Sequence, residues 1–97
     1  MPICNIFEAP PRSRVELERL EAHLRTTGPI PPEGCRLGVI GAEYAITVWD
    51  TEADRDRFVS NRLRPAYEAL GLSLDGLVRK QFEVETLVAG DLVGAAS

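Results

Sequence analysis

The chain reads as a single α+β domain built in the order strand, helix, strand, strand, helix, strand. Three observations predict it. Four segments alternate side chains in the two-residue rhythm of strands. Two segments between them place apolar residues at helical spacing behind N-cap signals. Turn-forming Gly and Pro clusters separate the segments. The split βαβ arrangement folds that order into an antiparallel four-stranded sheet with both helices on one face.

The first strand is expected over residues 2–9, where Ile3, Asn5 and Phe7 alternate with Cys4, Ile6 and Glu8. Both sides are mostly apolar, so the strand is expected at the centre of the sheet. Pro10-Pro11 stops it, because proline cannot donate to a ladder. Ser13-Arg14-Val15-Glu16 is a capping-box pattern. Leu17, Leu20 and Leu24 follow at helical spacing. Thr27-Gly28 ends this helix, with Gly28 expected in the left-handed conformation. Pro29, Pro31 and Pro32 stiffen the connection up to Gly34.

Cys35 to Ile40 and Glu43 to Asp50 read as a hairpin around Gly41-Ala42. In the second of these strands Tyr44, Ile46 and Val48 face one way, and Ala45, Thr47 and Trp49 the other. Thr51 caps a second helix whose stripe is Phe58, Val59, Leu63, Ala66, Tyr67 and Leu70. Pro65 inside that stripe is expected to break the helix near Arg64 and start its second piece. Gly71 ends it. Leu77 to Val88 reads as a long last strand. Val78, Lys80, Phe82, Val84, Thr86 and Val88 alternate with Arg79, Gln81, Glu83 and Glu85, the pattern of an edge strand. The domain is expected over residues 1–88, with a C-terminal tail over 89–97.

Composition bounds the function. At 97 residues the chain can build one modest core, so a partner subunit would help it. A net charge of −4 argues against nucleic acid and against an anionic membrane surface. No apolar run approaches the ~20 residues of a membrane span, and no signal peptide is visible. Cys4 and Cys35 belong to no CxxC pair and one His is present, so no Cys/His zinc site can be assembled and no metal is expected. Two free thiols fit a reducing, cytoplasmic setting. The face away from the helices would carry Tyr44, Ile46, Val48, Cys4 and Ile6 into water. A two-fold homodimer through that face is the expected solution; a monomer whose C-terminal tail crosses the sheet is the alternative.

The run Val48-Trp49-Asp50-Thr51-Glu52-Ala53 followed by Phe58 resembles the signature at the entry to helix two of dimeric α/β-barrel proteins of ferredoxin-like topology. These include antibiotic-biosynthesis monooxygenase-like proteins, polyketide cyclases and haem-degrading monooxygenases. The resemblance spans roughly residues 2–88 and is specific only from Trp49 to Phe58. It implies a dimeric α/β barrel and a cofactor-free cyclase, isomerase or monooxygenase acting on a small apolar or aromatic substrate. A non-catalytic ligand-binding or assembly module of the same fold is the alternative. The haem-degrading branch places an Asn on strand one, a Trp on strand three and a His on helix two. Asn5 and Trp49 match the first two. Helix two has no His, so haem loses its axial ligand and no cofactor is expected.

On that resemblance Asn5 and Trp49 face the helices and line a cleft. Asn5 would hold a substrate oxygen or a developing oxyanion, or else bond internally to backbone. Trp49 offers a stacking wall or a core anchor. His23, the one imidazole, is the candidate general base; its other reading is a surface-edge residue suiting the negative end of helix one. Phe58 and Tyr67 line the inner stripe of helix two, and Arg62 is placed to hold an anion at the cleft mouth. The run Asp54-Arg55-Asp56-Arg57 reads as a solvated face. No P-loop, GxGxxG or HExxH motif is present, and no serine shows a nucleophile motif.

Overall fold

A computed structural model describes residues 1–9 and 13–88. The expected tail over 89–97 lies outside the described residues. The elements are β1 (Ile3–Glu8), α1 (Arg14–Thr27), β2 (Cys35–Ile40), β3 (Tyr44–Trp49), α2 (Glu52–Phe58), a π-helical turn (Val59–Leu63), α3 (Arg64–Leu70) and β4 (Val78–Glu83). The strands form one antiparallel sheet in the order β2-β3-β1-β4. The centre therefore belongs to β1 and β3, the two strands apolar on both sides, and the edges to β2 and β4. Among the described residues no helix is long and apolar enough to cross a membrane.

Local chemistry sets the ends of each element. Ser13 Oγ accepts from the Glu16 N–H at 3.1 Å while Glu16 Oε1 accepts from the Ser13 N–H at 3.2 Å, completing the capping box of α1. Such a cap stabilises by about 1 kcal/mol. Thr51 Oγ1 accepts from the Asp54 N–H in the same way at the start of α2. Gly71 ends α3 in the left-handed conformation, φ 68°. Gly28 departs from expectation: its φ of 162° and ψ of −175° are extended backbone. Its lack of a side chain has a different cause. A Cβ there would lie 2.9 Å from the guanidinium carbon of Arg62.

Pro65 acts one turn earlier than expected. It has no N–H for the carbonyl of Asn61, and the helix widens over Val59–Leu63 so that the Arg64 N–H reaches back to the Val59 carbonyl. The last strand is shorter than expected, Val78–Glu83 instead of Leu77 to Val88. Its partner explains why. β1 begins at Ile3 opposite Glu83, and Pro2 offers a carbonyl, used by the Val84 N–H at 2.8 Å, but no donor to extend the ladder.

Register fixes two faces. Toward the helices lie three rows across the central strands: Trp49–Ile3–Glu83, Thr47–Asn5–Gln81 and Ala45–Phe7–Arg79. Away from them lie Val48–Cys4–Phe82, Ile46–Ile6–Lys80 and Tyr44–Glu8–Val78. A bulge at Arg36 shifts the β2 register, putting Leu37 and Val39 on the open face and Gly38 and Ile40 on the helix side. Arg36 Nε donates to Asp50 Oδ1 at 2.5 Å beside it. The open face leaves Leu37, Val39, Tyr44, Val78 and Phe82 exposed, Phe82 by 54%.

Candidate functional site

The middle row of the covered face holds three polar side chains in succession. Gly38, Thr47, Asn5 and Gln81 occupy consecutive strands at one level. A polar band beneath helices must find partners, since an unpaired buried polar group costs about 1–3 kcal/mol. Asn5 is 0% exposed at its centre. Its Oδ1 accepts from Arg55 Nη1 at 3.3 Å. Arginine only donates, so this contact fixes which end of the amide is oxygen. The other end, Nδ2, is buried without a hydrogen-bond partner among the described residues.

Arg55 corrects the expectation of a solvated run. It is 2% exposed. Its Nη1 also donates to Gln81 Oε1, its Nη2 to Asp56 Oδ1 at 2.8 Å and Glu52 Oε1 at 3.1 Å, and its Nε to Asp56 Oδ1 at 3.0 Å. The guanidinium thus ties α2 to β1 and β4, with its carboxylate partners on the wet side. Asp56 and Arg57 are exposed as expected, and Asp54 is half-buried. The alternation of charges concealed the one that turns inward. Helical phase could have found it, because Arg55 precedes Phe58 and Arg62 by one and two turns on the same stripe.

Trp49 is 2% exposed. Its ring centroid lies 5.5 Å from that of Phe58, at 36° between planes, and its Nε1 donates to Thr47 Oγ1 at 2.8 Å. The indole is a core wall whose polar atom is used within its own strand. Arg62 stands 5.3 Å above the Phe58 ring. It donates to the Leu24 carbonyl at 2.7 Å, the Pro29 carbonyl at 2.8 Å and Thr27 Oγ1 at 3.2 Å. It therefore closes the C-terminal end of α1, and the bare Gly28 gives it room. A depression of about 190 Å³ opens here, lined among others by Phe58, Arg62, Asp54, Asn61 and Pro32. It lies away from Asn5.

His23 is half-buried on the same stripe of α1 as Leu20 and the buried Leu24. Tyr67 is half-buried on α3. The structure thus joins Trp49, Phe58 and Arg62 in one chain of contacts and Asn5 with Arg55 in another. No described contact links His23 to either. Among the described residues no cluster of three His, Cys, Asp or Glu could hold a metal.

No protein-family model and no curated protein matches the chain. Among solved structures it is similar to Rv0793 from Mycobacterium tuberculosis at 17% identity, with a TM-score of 0.64 over 92% of this chain and 100% of that one. The fold is ferredoxin-like. At that identity the likeness carries the architecture alone. The remaining titratable groups with displaced affinities sit outside the polar band's centre. Burial pushes up the thiols of Cys4 and Cys35. On the open face, the charge of Glu8 raises Tyr44, whose hydroxyl donates to Glu8 Oε1 at 3.4 Å.

Proposed function

We propose that the protein is a small-molecule enzyme of polyketide-type secondary metabolism, a cofactor-free cyclase, isomerase or monooxygenase that begins by removing a proton from an apolar or aromatic substrate. The observation behind this reading is the wholly buried Asn5, which keeps an unpartnered amide donor beneath the helices. A fold has no use for such a donor, and an oxyanion has. When a C–H next to a carbonyl loses its proton, the electron pair moves onto the oxygen. A fixed N–H in a water-poor site stabilises that charge. His23 is the base assigned to take the proton, imidazole being the side chain most often found in that role. The Trp49–Phe58 wall, Tyr67 and Arg62 are assigned to the substrate's apolar body and its outer polar end. A homodimer through the open sheet face completes the protein.

The test is turnover of a panel of hydroquinones, anthrones and 1,3-diketones, followed by absorbance with and without dioxygen. Turnover of at least one compound is expected, falling about 100-fold in Asn5→Ala and at least as far in His23→Ala. Turnover untouched by His23→Ala removes the histidine from the mechanism. Binding without turnover across the panel favours the second reading, a non-catalytic ligand-binding or assembly module. The tight Phe58–Trp49 contact, which fills space a substrate would need, supports that reading.

A further inference from the structure

No further inference is drawn: the strongest candidate, the depression between the C-terminal end of α1 and the outer side of α2, carries nothing, because its Arg62 is already bonded to Leu24, Thr27 and Pro29 and its Asp54 to Thr51 and Arg57, so that nothing in the structure points to an occupant.

Discussion

The two faces of the sheet differ in what they hold: the covered face mixes the apolar Trp49, Ile3, Ala45 and Phe7 with polar residues, and the open face is mostly apolar. The face beneath the helices carries a polar row, Thr47, Asn5 and Gln81, with Arg79 and Glu83 on its flanks. The open face carries Cys4, Ile6, Ile46, Val48, Leu37, Val39 and Phe82, with Cys4 and Val48 buried and Leu37, Val39 and Phe82 exposed. An isolated domain built for stability would do the opposite, since apolar area gains about 25 cal/mol per Å² when covered and buried polar groups cost unless paired. On the proposed reading, the polarity kept inside, with one unpaired donor, serves chemistry, and the apolar residues exposed on the open face serve a second copy.

The largest effect that tests this contrast belongs to the covered face. Trp49→Ala removes a buried indole packed on Phe58 and should cost about 4 kcal/mol in denaturant unfolding; a loss below about 1 kcal/mol would mean the ring is not the core's anchor. Next comes the bare face. Phe82→Asp exchanges a half-exposed ring for a charge, so the protomer should keep its circular dichroism. Association should weaken about 100-fold, the range of a central interface residue. Sedimentation velocity reads it, and equal monomeric behaviour of the parent and the variant would show that the face meets no second copy. The smallest effect is in pH. Burial raises both thiols, so the folded chain holds those protons more tightly than the unfolded one. The associated stability is complete below the ordinary thiol range and is lost as pH rises through the raised values. Urea midpoints should therefore fall between neutral pH and pH ~10, and Cys4→Ala with Cys35→Ala should flatten the decline. Tyr44, raised by Glu8, adds a part that the double variant leaves.

Much of this was legible from the residues in order. Alternation in β1 and β3 gave their central places, and the Arg79–Glu83 alternation gave β4 an edge. The faces of Tyr44, Ile46 and Val48 followed from a period of two. What escaped depended on contacts distant in sequence. Arg55 lies 50 residues from Asn5, and four alternating charges hid its inward phase. The shortness of β4 was set by the proline just before β1. Gly28 looked like a helix terminator by local rules, yet its small size serves Arg62, which lies 35 residues from its Thr27 partner. The band itself emerges only once register puts Gly38, Thr47, Asn5 and Gln81 on one line.

The bulge at Arg36 has a bearing on crowding in the cell. A straight outer strand offers its free amides to any neighbour, the opening move of fibril growth. Here the outer strand is bent at its start and clasped by a charge pair with Asp50, and the opposite rim carries the charged Arg79, Lys80 and Glu83. Sideways recruitment is thereby discouraged at both rims. Under the proposed homodimer, copies of the chain would meet flat, in pairs, rather than line up without end.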